Sequence, residues 1–248
     1  MTTQTRPADV AALNAEFASL GLERRLRLAS QLGRNVVFTT SLGLEDQVVT
    51  AALAIARLPV RVATLDTGRL FAETATLIDE TEQRFHIRIE RFAPNESRVS
   101  GYVETHGLNG FYDSVEARHA CCGVRKLEPL ARALDGADVW ITGLRRSQSD
   151  NRAAIDFAEW DAERSLLKVN PIADWHVSRL DAYAKWNRVP LNPLHARGYA
   201  SIGCEPCTRA IKPGEPERAG RWWWEQDQTR ECGLHVAGRE DEGKTQAA

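Results

Sequence analysis

Two features are scarce in this 248-residue chain: a surplus of one charge and long apolar runs. The formal net charge is −2, so nothing in the charge balance indicates a surface for nucleic acids or membranes. The first residues lack an apolar stretch and no later run could cross a bilayer, so we expect no signal peptide and no membrane span. Cysteine is also rare. The five cysteines are clustered and odd in number, which favours metal or catalytic roles in a reducing cytoplasm over disulfides.

What the sequence does contain is a regular alternation of short β-branched runs and amphipathic stretches. Each run predicts a strand, followed by a loop and then a helix. Such repetition predicts an α/β fold with a mostly parallel sheet flanked by helices. The predicted strands are residues 35–40, 60–65, 87–92, 138–142 and a pair within 153–169.

The predicted helices lie on either side of these strands, and the periodic pattern ends at Lys212. We expect one α/β domain over residues 1–211, a mobile C-terminal arm over 212–238 and a disordered tail over 239–248. The predicted helices are residues 9–32 with a break near Gly21, 48–57, 70–85, about 97–105, about 121–134 and 175–188.

Three loops that follow strands carry distinctive polar residues. The carboxyl ends of parallel strands form the ligand crevice of such folds, so these loops predict the binding site. Residues 41–47 open a helix, whose N–H groups could hold an anion, although Glu45 and Asp46 also suit a plain acidic cap. In residues 65–69, Asp66 could bind a ribose hydroxyl or cap a helix. In residues 143–146, two arginines could bind an anionic substrate or form a solvated basic loop.

Four of the five cysteines form two close pairs, Cys121–Cys122 and Cys204–Cys207. Four thiols are the ligand count of a tetrahedral zinc or an iron–sulfur centre. Adjacent cysteines suit two irons of a cubane better than a single zinc. Lys126 lies one helical turn after Cys122, where it could offset thiolate charge or reach a substrate anion.

The fifth cysteine, Cys232, lies outside both pairs and follows a basic segment that contains Arg218 and Arg221. Neighbouring cations favour the reactive thiolate form, so we interpret Cys232 as a nucleophile. Three tryptophans at 222–224 could fix the arm to the domain, or form a packing patch or partner surface. His235 could contact substrate or be a solvated surface residue.

Together these motifs resemble the assimilatory sulfonucleotide reductases, and within them the cluster-bearing adenylylsulfate (APS) reductases. The resemblance covers residues 35–235, in family order and without departure within the motifs. The matching motifs are SLGLEDQ at 41–47, LDTGR at 65–69, CCGVRK at 121–126, GLRR at 143–146, CEPCT at 204–208 and ECGLH at 231–235.

The resemblance implies a Rossmann-like sheet of the adenine nucleotide α-hydrolase type and one [4Fe–4S] cluster that does not pass electrons to sulfur. It implies that Cys232 attacks the sulfur of APS and expels AMP, and that thioredoxin or a similar dithiol then releases sulfite. The implied cluster ligands are Cys121, Cys122, Cys204 and Cys207. The implied nucleotide pocket comprises Ser41, Gly43, Asp66, Gly68, Arg69 and Gly143. The donors available to the phosphosulfate are Lys126, Arg145, Arg146, Arg218, Arg221 and His235.

Three other functions stay open at this point. A reductase of 3′-phosphoadenylylsulfate (PAPS), or one with dual specificity, is the nearest, although that branch typically lacks both cysteine pairs. An ATP pyrophosphatase is less consistent, because residues 41–46 match its Ser-Gly-Gly loop poorly. The third is a non-enzymatic iron–sulfur or zinc-binding module. We expect a cytoplasmic homo-oligomer with no nucleic-acid or membrane partner.

Overall fold

The structure, a computed structural model, describes residues 7–225. Its centre is a six-stranded sheet in the order β3-β2-β1-β4-β6-β5, in which only the pairing of β5 with β6 is antiparallel. The expected mostly parallel sheet is therefore present. The strands are β1 Val36–Thr40, β2 Arg61–Leu65, β3 Ile89–Phe92, β4 Val139–Ile141, β5 Ala158–Asp161 and β6 Leu166–Val169.

Helices cover both faces of this sheet, as the alternation of the sequence predicts. None of those within residues 7–225 is both long and apolar enough to cross a membrane. The α-helices are α1 Pro7–Ser19, α2 Leu22–Ala29, α3 Leu44–Ile55, α4 Ala72–Phe85, α5 Glu96–His106, α6 Val115–Cys122, α7 Glu128–Ala133 and α8 Val177–Asn187.

The central strand β1 shows why the strand sequences are apolar without alternation. Its alternate residues enter two different cores: Phe38 packs with the helices on one face, and Val37 packs with Trp140 on the other. Both faces are buried, so β-branched and aromatic residues are favoured throughout the strand. The indole of Trp140 also donates a 2.8 Å hydrogen bond to Thr39 Oγ1, which ties β4 to β1.

Two predicted helix boundaries differ from the observed ones. The helix after β1 begins at Leu44 rather than at residue 48, because its first turn is closed by a 2.9 Å bond from the Gln47 N–H to the Gly43 carbonyl. The cysteine helix begins at Val115 rather than near residue 121, because the Ser114 hydroxyl caps it. Five residues of π-helix, Gly123–Leu127, then join α6 to α7. Such segments are frequent at functional sites.

The segment 212–225, the first part of the predicted arm, lies against the body of the protein. A β-bridge joins Thr208 to Arg221, and the N–H of Trp222 donates a 3.2 Å bond to the Cys207 carbonyl. Trp222 is buried, whereas Trp223 is exposed. This contact of Trp222 matches the first interpretation of the tryptophans, fixation to the domain. The rest of the predicted arm and the tail lie outside the described residues.

Candidate active site

A cavity opens at the carboxyl ends of β1, β2 and β4, where the topology predicts the ligand crevice. Its wall includes the loop after β1, the loop after β4 and the segment 200–204. Of the predicted substrate-binding residues, the following line it: Ser41, Gly43, Lys126, Gly143, Arg218 and Arg221.

The first loop is held by Asp46, which accepts bonds of 2.6 Å from both the N–H and the hydroxyl of Ser41. Burial raises the pKa of Asp46 to about 6. The loop after β4 interlocks with it at Gly143, where an added Cβ would lie 2.0 Å from Asp46 Oδ1. Only glycine fits there. Asp46 therefore fixes the turn that precedes α3, although the helix start at Gly43 has no side-chain cap hydrogen bond.

The two arginines of the loop after β4 point in different directions. Arg145 is buried and paired with Glu45 at 2.5 Å and with Glu217 at 2.7 Å. Burial acts to raise the pKa of Glu45, yet the charge and hydrogen bonds of Arg145 hold it below its usual value. Burial and the charge of Glu45 raise the pKa of Glu217. Arg146 instead donates a 2.6 Å bond to the carbonyl of Ile155. Neither arginine is part of the cavity wall.

Three predicted pocket residues after β2 also lie outside the wall. The Asp66 carboxylate accepts a 3.0 Å bond from the Gly68 N–H, which closes a turn in which Gly68 has a φ of +67°. Arg69 donates to Asn109 Oδ1 at 2.8 Å and to a neighbouring carbonyl. The cavity is lined here by Thr64, Leu65 and Thr67 instead.

The four paired cysteines lie in one cluster with Phe111 and Trp222, although 82 positions separate Cys122 from Cys204 along the chain. Cys121 is half-buried and the other three are buried. The Cys204 thiol lies 3.3 Å from Thr67 Oγ1 and also contributes to the cavity wall. The sulfur cluster and the cavity are therefore adjacent.

Burial dominates the protonation of two of these thiols, Cys207 and Cys121. It raises the pKa of Cys207 to about 12, with a further contribution from Cys204, while Lys126 and Arg221 act in the opposite direction. Burial likewise raises the pKa of Cys121, against the charge of Arg125. Thiols in this setting are neutral unless a metal centre deprotonates them.

The surroundings of the cluster fit an iron–sulfur centre. Two buried donors beside the thiols, Arg221 Nε and Trp222 Nε1, have no hydrogen-bond partner among residues 7–225. Thiolate and sulfide sulfurs would supply the missing acceptors. Within the same residues no group of three ligand-type side chains could hold a single metal ion. A four-iron cluster has a different requirement, one thiolate on each iron.

Several wall residues carried no distinctive signal in the sequence. Gln148, Arg152, His195 and Glu217 line the cavity, and none belongs to a motif that predicts binding. The buried ion pair between Arg118 and Glu225, at 2.6 Å, was likewise not predicted. Cys232 and His235, the predicted nucleophile and substrate contact, lie outside the described residues.

Comparison with known proteins gives a consistent result. Residues 35–210 match the family described as phosphoadenosine phosphosulfate reductase domain. The chain is 64% identical over 233 residues to an adenosine 5′-phosphosulfate reductase of Agrobacterium fabrum, covering 94% of this chain and 90% of that protein. A second such protein, of Allochromatium vinosum, is 55% identical over 213 residues, covering 85% of this chain and 83% of that protein.

A solved structure shares the fold. Phosphoadenylyl-sulfate reductase from Candida auris, in a phosphate complex, superposes with a TM-score of 0.72 at 24% identity, covering 85% of this chain and all of that chain. The predicted Rossmann-like α/β class is thereby confirmed. With a family match over most of its length and relatives above 50% identity, the chain belongs to the phosphoadenosine phosphosulfate reductase family.

Proposed function

We propose that this protein reduces adenylylsulfate to sulfite and AMP for sulfate assimilation and cysteine biosynthesis, with electrons from a dithiol. The observation that carries the proposal is the shared wall between the cavity and the cysteine cluster. Three residues line the cavity and also lie beside the thiol of Cys207: Lys126, Cys204 and Arg221. Relatives named adenosine 5′-phosphosulfate reductase at 50–64% identity support the same substrate.

Cys121, Cys122, Cys204 and Cys207 would hold a [4Fe–4S] cluster. When bound, this cluster supplies a fixed centre of charge and structure beside the substrate rather than electrons for sulfur. The chain itself provides the cationic surroundings. Lys126, Arg218 and Arg221 line the cavity and would neutralise the oxygens of the phosphosulfate group.

The sulfur chemistry belongs to Cys232. Its thiolate would form a bond to the sulfur of APS while the sulfur–oxygen bond to AMP breaks, and AMP would leave with the electron pair. The product is an S-sulfocysteine. One thiolate of a reduced dithiol then attacks Cys232 sulfur, sulfite leaves, and the second dithiol sulfur releases the resulting mixed disulfide. The dithiol is thereby oxidised by two electrons.

The position of Glu225 makes this role for Cys232 physically reasonable. Glu225 forms a buried ion pair with Arg118 on α6, the helix that carries Cys121 and Cys122. Cys232 lies seven positions after Glu225, a separation that the chain can span over at most about 25 Å. The proposed nucleophile therefore stays within reach of the cysteine-side wall.

We further propose thioredoxin as the reductant, a reducing cytoplasm as the location and a homo-oligomer as the assembly. The buried thiols and the odd cysteine count support the reducing compartment.

Product analysis under steady-state conditions tests the proposal. Purified protein is mixed with thioredoxin, thioredoxin reductase and NADPH, and either APS or PAPS. We expect sulfite and AMP from APS, at a kcat/KM well above the value for PAPS. A higher kcat/KM with PAPS would assign the other substrate, and release of pyrophosphate from ATP would assign the pyrophosphatase alternative.

A further inference from the structure

A group of aromatic side chains lies on the surface next to the end of the described chain. Tyr112 and Trp223 are 41% and 37% exposed. Their ring centroids lie 6.3 Å apart, and each ring also meets that of Trp224 edge-on, at 4.5 and 4.8 Å. We call Tyr112, Trp223 and Trp224 the aromatic patch. Aromatic side chains exposed together are typical of a surface that binds another protein.

Contacts with the body of the protein hold the aromatic patch in place. The Tyr112 hydroxyl donates a 2.6 Å bond to the carbonyl of Pro206, in the loop that carries the second pair of cysteines. Phe111 is buried, and its ring centroid lies 4.6 Å from that of Tyr112 and 6.4 Å from that of Trp224. A patch that is already ordered binds a partner at a lower entropic cost.

The position of the patch relates it to the second half of the proposed reaction. Trp223 is two positions before Glu225, so their Cα atoms are at most about 7 Å apart. Cys232 is at most about 25 Å from Glu225, and a sulfur of the dithiol must contact it there. A typical protein interface covers about 800 Å² of each partner, which corresponds to a disc about 30 Å across. A protein that carries the dithiol therefore reaches the aromatic patch when it reaches Cys232.

The rest of this chain is a poorer occupant of the patch. The residues after Glu225 include no Phe, Tyr or Trp, and their only large aliphatic side chains are Leu234 and Val236. These follow Cys232 by two and four positions, so in the proposed attack they lie near the substrate with it. A separate protein with an apolar surface fits the patch better.

We propose that the aromatic patch is the docking surface for the protein that delivers the dithiol, and that it fits a partner with an apolar rim around its exposed sulfur. The inference rests on the proposed function. In that reaction the partner's thiolate attacks the Cys232 sulfur, sulfite leaves with the electron pair of the broken sulfur–sulfur bond, and the partner's second sulfur releases Cys232. The patch takes no part in these steps. It raises the concentration of the dithiol beside Cys232.

The test measures sulfite release in a single turnover with two reductants. Full-length protein, purified anaerobically and loaded with APS in the absence of dithiol, is mixed with reduced thioredoxin or with dithiothreitol, which is too small to need a docking surface. We expect Trp223→Ser to lower the second-order rate constant with thioredoxin by about tenfold, as loss of an interface tryptophan does. Its rate constant with dithiothreitol and its rate of adduct formation from APS should equal the wild-type values, since Trp223 is not part of the cavity wall.

Trp186→Ser is the matched control. Trp186 is more exposed than Trp223, at 87%, but it belongs to α8 and is not among the residues that pack with the cysteines. This variant should match the wild type with both reductants. An equal loss with thioredoxin in Trp186→Ser and Trp223→Ser would overturn the inference, because any exposed tryptophan would then have the same effect.

A measurement on the wild type makes the test independent of whether Trp223→Ser folds. Thioredoxin that lacks its second active-site cysteine is trapped as a mixed disulfide with Cys232, and the complex is exposed briefly to hydroxyl radicals. Mass spectrometry should show that Tyr112 and Trp223 are oxidised less in the complex than in the free protein, whereas Trp186 is oxidised equally in both. Unchanged oxidation of Trp223 would overturn the inference.

The remaining outcomes separate the other occupants and the proposed function itself. Slower adduct formation in Trp223→Ser would assign the patch to the rest of this chain, and a change of mass in analytical ultracentrifugation would assign it to a second copy. Either result would overturn the inference. If the wild type forms no adduct with APS, the proposed function fails. If the wild type turns over and Trp223→Ser equals it with thioredoxin, this inference alone fails.

Discussion

Two walls of one cavity use arginine and lysine for different purposes. On the cysteine side, Lys126 and Arg221 lie beside thiols and over the ring of Trp222, at 5.9 and 4.7 Å from its centroid. At a second wall, the carboxylates of Glu45 and Glu217 line the cavity and enclose the guanidinium of Arg145, which itself lies behind that wall. Cationic charge at the first wall lies beside the thiols, whereas at the second it neutralises buried carboxylates. A positively charged residue near a ligand crevice is thus not by itself a ligand contact.

The largest effects are expected on the cysteine side, and they separate two kinds of thiol. Cys207→Ser should abolish both iron binding and sulfite release, because a cluster of four thiolates loses one ligand. Cys232→Ser should abolish sulfite release while it retains the iron content of the wild type and binds APS. Iron analysis, nucleotide binding and sulfite release measure the difference.

Mass spectrometry of the protein after reaction with APS also distinguishes the proposed nucleophile from the four paired cysteines. Wild-type protein mixed with APS, without any dithiol, should gain one sulfonate group on the peptide that contains Cys232. An adduct on one of the other four cysteines, or turnover by Cys232→Ser, would contradict the assigned nucleophile.

A comparison of cations should give the next largest effect. Lys126→Ala should lower kcat/KM for APS by about 10- to 1000-fold, because a preorganised charge near the phosphosulfate is removed. Arg146→Ala should change kcat/KM by less than about threefold, since its side chain donates to the Ile155 carbonyl, outside the cavity wall. Equal losses in both variants would show that the two walls do not differ in the way proposed.

A substitution at the carboxylate wall should lower the free energy of unfolding and leave the iron content unchanged. Arg145→Met leaves Glu45 and Glu217 without their shared partner, which should lower the free energy of unfolding at pH 7 by about 3–5 kcal/mol. The deficit should shrink at pH 5, because the buried carboxylates can then take up protons. Chemical denaturation at both pH values measures it. Adding Glu45→Gln should restore part of the loss, and a variant that instead loses its iron would contradict the separation of the walls.

The smallest expected effect concerns Asp46, whose pKa is raised from 3.8 to about 6 by burial. Between these values native Asp46 binds more protons than Asp46 of the unfolded chain, so its contribution to stability is greatest below about pH 4 and is lost as pH rises through 6. The fall amounts to about 1.4 kcal/mol for each unit of pKa shift. In Asp46→Asn this part of the pH dependence should disappear, as unfolding measured from pH 4 to 7 would show. The same slope in both proteins would contradict the buried carboxylate.

Sequence alone predicted the sheet and the place of the cavity, because strand and helix periodicities and the rule for parallel strands are local signals. It could not predict the direction of Arg145 and Arg146. Arg145 has an extended backbone whereas Arg146 begins a 3₁₀ helix, and the partners of Arg145, Glu45 and Glu217, lie 100 and 72 positions away.

The ion pair between Arg118 and Glu225 has a kinetic consequence for the proposed reaction. A thiol seven positions from a fixed residue cannot lie farther than about 25 Å from it, whatever path the intervening chain takes. Its effective concentration at the sulfonate is then in the millimolar range, which exceeds that of a dissolved thiol present at micromolar concentration. One buried carboxylate at the end of the described fold would thus favour attack by the enzyme's own cysteine over wasteful reaction with free thiols.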